Sequence, residues 1–483
     1  MLIILLSPVI VSLLMITVWK KSGFSAGLFG IVWAVALSVV LQATYLNGEV
    51  LLKTLSNSLV LTLNAFAVIF TGLMLGLLLK QTGQTKQLDK RLSELPLHQT
   101  AKISLLLFGL LPALESITGF GVSLLLAVPV FMAMFPRQAA MKLSLLSMNI
   151  MPWGTLGLAT IVAANLTQQN IASLGSASAL ISFGVFPCIA VIAAYLIGGN
   201  SARHYFLPLA AAVSFSVLLL AFNLLGWVEL AGAMAGFVNF VLWFFILNAS
   251  NRNNPFPELK LLFKQLSPYL WVVLLVLLIK IIAVSFPNIT EQLSVSGDSS
   301  HFYLLKSPGL ALLSATLLWA WKTKQKPSLP WKQSYKTCST LFVFIVLSQF
   351  LFFAGFIEAF IQTIPKNSSI WLYLFISPLL GMLSGFIAGS NLGANALLIN
   401  MQEQIGAMFH HELLFAALQN SSAGHTVFVS LPIIILALSI ADAVGKPADE
   451  KAEQSELLKF GFKSAGLMYI AYIISAAIYY IWK

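Results

Sequence analysis

The fold is decided by LESITGFGVSLLLAVPV (residues 114–130) and AGSNLGANALLINMQ (residues 388–402), two apolar stretches that are each interrupted in the middle. The surrounding apolar regions cover residues 103–135 and 369–400. Each arm beside an interruption has roughly 13–18 residues, fewer than the roughly 20 that a membrane-crossing helix needs. We therefore predict two re-entrant helical hairpins, with the tips TGFG and AGSNLG inside the membrane.

The composition places the rest of the chain in the membrane as well. Of the 483 residues, 59% are hydrophobic and 9% are charged, and the mean hydropathy is +0.90. A soluble domain averages about 25% charged residues, so a soluble enzyme and a disordered protein are both excluded. The net charge of +11 lies in short clusters between apolar runs, which argues against a nucleic-acid partner and for a lipid bilayer.

Apolar runs predict an all-α polytopic protein with about 12 transmembrane helices besides the two hairpins. The predicted spans are residues 2–19, 24–46, 56–79, 138–164, 174–198, 204–225, 227–249, 266–287, 307–321, 337–363, 413–440 and 459–482. We expect the first of these to be a retained span, because no basic residue precedes its apolar run.

The basic residues predict the orientation of the chain. With both termini outside, most of the 27 lysines and arginines fall in cytoplasmic loops, as the positive-inside rule requires. The exceptions are Lys53, Lys306, Lys366 and Lys483, which fall outside, and Lys280, which falls within a span. This pattern breaks down if either hairpin is counted as a full crossing. We predict a multi-pass membrane protein with this orientation.

A second pair of interruptions predicts an inverted repeat. SMNIMPWGTLGL (residues 147–158) follows the first hairpin and LQNSSAGHTVFVSLP (residues 418–432) follows the second, and each has the asparagine, glycine and proline of a broken helix. Paired broken elements of opposite orientation form the midplane site of many secondary transporters. The predicted organisation is a first repeat at residues 1–200, a connecting helix pair at 201–265 and a second repeat at 266–483.

Four segments resemble the bacterial L-lactate permease family. Residues 114–130 look like its EGxxGFGxP signature, residues 388–402 are similar to its TGSDTSSNALFGxLQ segment, residues 418–432 resemble its ANSSGG…SP segment, and LGWVELAGAMAG (residues 225–236) resembles its acidic GPEL stretch. The similarity covers roughly residues 100–440. It implies uptake of lactate and related 2-hydroxymonocarboxylates, such as glycolate, coupled to protons, across the bacterial cytoplasmic (inner) membrane.

The chain departs from the family in three places. Asn391 replaces the aspartate of the second tip, Phe428 replaces a basic residue, and Val122-Ser123 replace Thr-Pro. We interpret the lost carboxylate and the lost basic residue as a pair that could compensate each other, because losing both leaves the local charge unchanged.

Two titratable residues are candidates for proton coupling. Glu115 precedes the first tip, and intramembrane carboxylates are rare and usually functional. Burial favours the neutral form of such a group, which suits loading and release of a proton; the alternative is a structural acid bonded to backbone amides. His425 lies in the second broken segment and could join a proton path, although a packed histidine is its simpler interpretation.

The tips are the predicted site for the substrate's carboxylate, because helix N-termini present unpaired N–H groups and partial positive charge. The candidate residues are Thr118, Gly119, Gly121, Asn149, Ser390, Asn391, Asn395, Asn420, Ser421 and Ser422. For any single hydroxyl, bonding within its own helix is an equal alternative. Lys280 is a further candidate counter-ion, unless its side chain reaches the membrane surface.

The leading hypothesis is a proton-coupled carboxylate symporter without a cofactor. Similarity to elevator-type anion symporters, which are commonly dimers, adds a homodimer by analogy alone. A sodium-coupled carrier of a di- or tricarboxylate remains the alternative. A membrane-embedded enzyme or a channel ranks lower, because the chain has no HExxH or GxSxG motif and no repeated polar rings.

Overall fold

The computed structural model describes residues 2–41, 46–119, 121–198, 202–250, 256–365, 367–445 and 450–482. Phe120 of the first tip, residues 42–45 of a predicted span, and the basic residues Arg252, Lys366, Lys446 and Lys483 lie outside the described residues.

The described part of the first 200 residues is helical. Its helices are α1 (Leu2–Thr17), α2 (Gly23–Val40), α3 (Gly48–Gln81), α4 (Gln84–Ser93), α5 (Gln99–Leu105), α6 (Leu111–Thr118), α7 (Val122–Met134), α8 (Arg137–Leu146), α9 (Gly154–Thr167), α10 (Ile171–Ser182) and α11 (Val185–Leu196). A π-helical turn (Leu106–Leu110) joins α5 to α6, and a 3-10 turn (Met151–Trp153) precedes α9.

The remainder continues with helices and one small antiparallel hairpin. The elements are α12 (Ala202–Leu224), α13 (Val228–Ser250), α14 (Phe256–Ser285), α15 (Pro287–Gln292), β1 (Ser294–Ser296), β2 (His301–Tyr303), α16 (Pro308–Thr323), α17 (Trp331–Phe353), α18 (Phe356–Gln362), α19 (Ile370–Ala388), α20 (Asn391–Ala407), α21 (Glu412–Thr426), α22 (Leu431–Val444) and α23 (Glu450–Trp482). Short 3-10 turns cover Leu304–Lys306 and Val427–Val429.

This architecture confirms an all-α polytopic membrane protein. Eleven helical runs among the described residues are long and apolar enough to cross a membrane, and a twelfth results if the bent pair α8–α9 is one span. Three predicted spans differ from the structure. The predicted spans 2–19 and 307–321 correspond to α1 and α16, which have 16 residues each and are not among the eleven long apolar runs. The third, residues 337–363, does not form one helix. Gly355 has a left-handed φ of +81° and separates α17 from the short α18.

Each predicted hairpin is a pair of helices separated at its glycine-rich break. The first arms are longer than predicted, with 20 residues at Gln99–Thr118 and 19 at Ile370–Ala388, whereas α7 and α20 have 13 and 17. The first arm contains Pro112, which has no N–H to donate to a helical hydrogen bond. The π turn lies directly before the helix that contains this proline, so the arm continues past it. Re-entrance into the membrane stays a prediction.

Both predicted broken helices are interrupted. α8 and α9 meet at a bend of 52°, and the chain enters α9 through three consecutive left-handed residues, Thr155, Leu156 and Gly157. The second break is a 3-10 turn between α21 and α22, with Pro432 in the first turn of α22. The second hairpin packs against α21 and α9, so elements from distant parts of the chain meet around the breaks.

Both tips lie beside the start of α22. We define the first tip as residues 118–121 and the second tip as residues 389–391. A methyl group added at Gly121 would lie 3.0 Å from Leu436, and one added at Gly389 would lie 3.2 Å from Pro432. Because Pro432 and Leu436 are one helical turn apart, the two tips follow each other along one helix.

Candidate substrate site

A buried hydrogen-bond network ties the second tip to the first half of the chain. Asn420 Oδ1 accepts hydrogen bonds from Nδ2 of Asn391 (3.1 Å) and Asn395 (2.8 Å). Asn420 Nδ2 donates to Oγ1 of Thr160 (2.9 Å) and to Oγ of Ser178 (3.0 Å). All five side chains are buried. We call this set the asparagine network.

The asparagine network leaves two acceptor oxygens in fixed positions. Oδ1 of Asn391 and Oδ1 of Asn395 are buried and have no hydrogen-bond partner among the described residues. The amide nitrogens of both residues donate to Asn420, so the oxygens of the same amides face away from Asn420. Buried polar atoms rarely lack a partner, and a carboxamide oxygen accepts a hydrogen bond from a hydroxyl. The pair is therefore suited to a ligand that brings a hydroxyl group.

The second tip also presents an open helix N-terminus. Gly389 is left-handed (φ +61°), and α20 begins directly after Ser390, whose hydroxyl accepts a long hydrogen bond from the Gly393 N–H (3.4 Å). The first four N–H groups of a helix have no intrahelical partner, and this end carries partial positive charge. Gly389 and Ser390 are half-buried. This N-terminus suits an anion.

The first tip is different because a carboxylate of the chain already occupies it. Glu115 is fully buried. Its Oε1 accepts a hydrogen bond from the Gly121 N–H (3.1 Å), and its Oε2 accepts one from the Ser123 N–H (2.9 Å). The carboxylate thus caps α7, which is the structural alternative considered from the sequence.

The other residues of the first tip are engaged locally. Thr118 Oγ1 donates to the Leu114 carbonyl of its own helix (2.7 Å). Gly119 (φ +66°) lies directly against the side chain of Thr155, so a side chain has no space there. The first tip and the first broken helix are therefore in contact, and the described residues of this tip present no open polar face of the kind found at the second tip.

The remaining predicted residues in the second half of α21 divide into two groups: Ser421 and His425 contact α10, and Ser422 bonds within its own helix. Ser421 Oγ donates to the Ser178 carbonyl (3.0 Å) beside the asparagine network, and His425 Nε2 lies 3.0 Å from Ser182 Oγ. Ser422 Oγ instead bonds within its own helix, to the Leu418 carbonyl (2.6 Å).

Asn149 supports the first hairpin. Its Nδ2 donates to the Leu107 carbonyl in the π turn (2.9 Å), and the neighbouring Phe108 carbonyl accepts a bond from Asn239 Nδ2 (2.7 Å). Asn149 Oδ1 is buried without a partner among the described residues. The π turn and Pro112 leave carbonyls that need such partners.

Among the described residues, Lys280 forms its hydrogen bonds with Glu229 and Gly226 and not with either tip. Its Nζ is 3.1 Å from Glu229 Oε2 and donates to the Gly226 carbonyl at 3.0 Å. It lines a cavity of about 530 Å³ between α9, α14 and the start of α16. Among the described residues, no group of three or more His, Cys, Asp or Glu is placed to hold a metal ion.

Thr160 and Ser178 were missed by the sequence reasoning. Thr160 follows the first broken segment closely, and this position was the only available hint. Ser178 lies in the run of small residues in α10, where hydroxyls usually bond within their own helix. Only the packing of α21 against α9 and α10 brings these hydroxyls to Asn420.

A family comparison gives these positions a context. The model of the L-lactate permease family matches residues 232–482, just over half of the chain. The matched part contains the second hairpin and Asn420, whereas Glu115 and the first tip lie before it. No curated protein matches the chain. The family is one of transporters, which act on small organic substrates in a lipid bilayer, and not of enzymes. This multi-pass membrane protein belongs to the L-lactate permease family.

Proposed function

We propose that this protein is a secondary-active symporter, which takes up lactate and related small 2-hydroxymonocarboxylates, such as glycolate, together with protons across the bacterial inner membrane. Family membership supports lactate as the substrate. The observation that carries the proposal is an open helix N-terminus at the second tip, together with the amide oxygens of Asn391 and Asn395, which have no partner among the described residues. A 2-hydroxy acid has the two complementary groups next to each other.

The substrate's carboxylate binds at the N-terminus of α20 in this proposal. The free N–H groups of the first turn donate to it, and the Ser390 hydroxyl exchanges its long bond with Gly393 N–H for a bond to the substrate. Such N–H groups can bind a carboxylate without the help of a lysine. This fits position 428, where the chain has Phe428 in place of the basic residue of the family pattern.

The substrate's hydroxyl donates to the free oxygens of Asn391 or Asn395. Asn420 holds both amides in orientation, and Thr160, Ser178 and Ser421 support it from the other half of the chain. Asn149 and Ser422 are supporting residues of the two breaks. A site built to bind a hydroxyl discriminates strongly against the analogue that lacks it, because the acceptors then stay unpaired. We therefore expect propionate to be a poor substrate.

Glu115 is the proposed proton-binding group. As a carboxylate it holds the first tip through two backbone N–H groups. Protonation removes the charge and turns one oxygen into a donor, which weakens this cap and loosens Thr118, Gly119 and Gly121. His425, which contacts Ser182 behind the second break, is a second candidate for the proton path. The proton thus acts at one tip and the substrate at the other.

Alternating access completes the proposal. The two hairpins and the two broken helices move together against the remaining spans, around a site at the midplane of two inverted repeats. An elevator-type motion and a homodimer are proposed by analogy with other anion symporters.

A sodium-coupled carrier of another organic anion is the second candidate. The amide oxygens of Asn391 and Asn395, which lack a partner in the described part of the chain, favour it, since amide oxygens and unwound backbone carbonyls also bind Na⁺ in such transporters. Uptake driven by an imposed sodium gradient, and insensitive to a proton uncoupler, would support this candidate against the proton symporter.

Labelled L-lactate uptake into proteoliposomes with an inward proton gradient tests the proposal. Glu115→Gln is compared with wild type, and the exposed Glu358 provides the control variant Glu358→Gln. We expect uncoupler-sensitive uptake in wild type and Glu358→Gln. Glu115→Gln should lose uptake driven by the gradient and retain lactate exchange. Absence of lactate uptake by wild type under every gradient would refute the proposed substrate.

A further inference from the structure

The cavity beside Lys280 lies next to the asparagine network but is separate from it. Ile161 and Ala164 line this cavity, whereas the adjacent Thr160 bonds to Asn420. α9 therefore has the cavity on one face and the asparagine network on another. We call this cavity the vestibule; its walls are α9, α14, the β1–β2 hairpin and the first turn of α16.

The vestibule has a positive balance of charge. Its described lining carries two lysines, Lys280 and Lys306, and one carboxylate, Glu229; His301 adds a titratable ring. The N-terminus of the 16-residue helix α16 also faces it, with Ser307 as the capping residue. Walls of low dielectric constant concentrate the field of such charges and raise the local concentration of anions.

The ion pair in the vestibule is open to exchange. The side chains of Lys280 and Glu229 keep 42% and 19% of their surface exposed, and ion pairs with this degree of exposure contribute little to stability. The Lys280 ammonium has three hydrogens, and the described residues take two of them through Glu229 and the Gly226 carbonyl.

We propose that the vestibule is a second anion-binding site, in which a substrate carboxylate replaces that of Glu229 on Lys280 before it reaches the second tip. Lactate as the anion rests on the proposed function, whereas the preference for small carboxylates does not. Glu229 is then an internal competitor: it keeps Lys280 paired when the vestibule is empty and lowers the affinity for external anions. Removing Lys280 should consequently weaken anion binding in the vestibule, whereas removing Glu229 should strengthen it.

A cysteine probe tests this directly in purified protein. Asn165 lines the vestibule and is half-buried, so Asn165→Cys is placed in a background with Cys188→Ser and Cys338→Ser. The labelling rates of an anionic and a cationic methanethiosulfonate reagent are then compared. We expect Lys280→Gln to lower the anionic-to-cationic ratio about tenfold and Glu229→Gln to raise it several-fold, with both effects reduced by salt.

Control variants separate this role from a structural one. Lys280→Arg keeps the charge and should keep the ratio. Lys53 and Glu49 form a similar ion pair (2.8 Å) that does not line the vestibule, so Lys53→Gln and Glu49→Gln should leave the ratio unchanged. L-lactate should slow anionic labelling in the presence of Lys280 and not in Lys280→Gln.

Equal effects of Lys280→Gln and Glu229→Gln, or no effect of either, would overturn the proposal, because the ion pair would then be structural. If the ratios follow the expected pattern but L-lactate neither protects the probe nor is taken up by wild-type proteoliposomes, the anion site stands and lactate as the substrate fails. Protection by L-lactate that is independent of Lys280 would refute the vestibule site alone.

Discussion

The two tips follow the same plan and differ in what occupies their helix N-termini. At the first tip, the carboxylate of Glu115 accepts hydrogen bonds from the Gly121 and Ser123 N–H groups. At the second tip, the neutral hydroxyl of Ser390 makes one long bond to the Gly393 N–H. The first N-terminus binds a carboxylate of the chain itself, whereas no carboxylate among the described residues bonds to the second.

This difference separates two functions that the sequence places at both breaks. An N-terminus that already holds a buried carboxylate has its partial charge compensated and has little attraction for a second anion. An N-terminus with a neutral cap keeps its attraction. In our proposal, the two breaks are therefore not two copies of one site: the first binds a proton and the second binds a substrate anion.

The largest expected effect comes from filling the first tip. In Gly119→Ala, the new methyl group would overlap Thr155, in a backbone conformation (φ +66°, ψ −163°) that is essentially restricted to glycine. We expect a loss of about 3 kcal/mol or more of stability. In Gly389→Ala, the nearest atom is 3.2 Å away and the left-handed conformation alone costs about 1 kcal/mol.

Apparent Tm values of the two purified variants check this difference. Gly466, with no atom within 4 Å of an added methyl group, provides the control variant Gly466→Ala. Equal destabilisation by Gly119→Ala and Gly389→Ala would contradict the close contact of the first tip with Thr155.

A carboxylate at the second tip should make the tips alike. In wild type, Asn391 Nδ2 donates a hydrogen bond to Asn420 Oδ1. In Asn391→Asp, this bond is lost and an acidic side chain lies at the start of α20, facing Asn420 Oδ1. We expect the KM for L-lactate to rise about 100-fold, equivalent to about 2.8 kcal/mol, because the substrate meets a like charge. Asn391→Ser is the neutral control and should have a much smaller effect.

The double variant Asn391→Asp/Phe428→Lys sharpens this prediction. It restores both charges that the family pattern has at these positions, so part of the affinity for lactate should return. An unchanged KM in the single variant would mean that the substrate carboxylate does not bind at the second tip.

A smaller effect, on the pH dependence of stability, is expected from α4, which packs against α7 of the first hairpin. Burial raises the pKa of Asp89 in α4 from 3.8 to about 7, and one of its carboxylate oxygens is buried without a partner among the described residues. The folded state therefore holds the proton more tightly than the unfolded state. The free energy of unfolding should fall as the pH rises from about 4 to about 7 and then stay level.

Asp89→Asn removes this dependence. The variant should match wild type near pH 4 and have the higher apparent Tm at pH 8, whereas the exposed control Asp298→Asn should follow wild type throughout. A difference that is the same at every pH would argue against titration of Asp89.

The apolar spans and the four breaks could be predicted because each has a local cause. Helices of about 20 apolar residues are required by the bilayer, and glycine and proline interrupt them at the same places in the sequence and the structure. The break at Gly355 was missed, since a single glycine inside an apolar run is no different in sequence from one that only permits close packing.

The partners within the site could not be predicted, because they come from distant parts of the chain. Asn420 binds Thr160 across 260 positions, and Lys280 pairs with Glu229 across 51. Either interaction depends on how helices pack, and neutral hydroxyls such as that of Ser178 look alike wherever they occur. The cap made by Glu115 was one of two roles considered for it, and only geometry assigns its carboxylate to α7.

The most direct measurement is a cryo-electron microscopy structure of the protein with saturating L-lactate. We expect the lactate carboxylate within hydrogen-bond distance of the first N–H groups of α20, with its hydroxyl at Asn391 or Asn395 and Glu115 or its protonated form still beside α7. Lactate bound at the N-terminus of α7, with the second tip empty, would contradict the division of roles between the two tips.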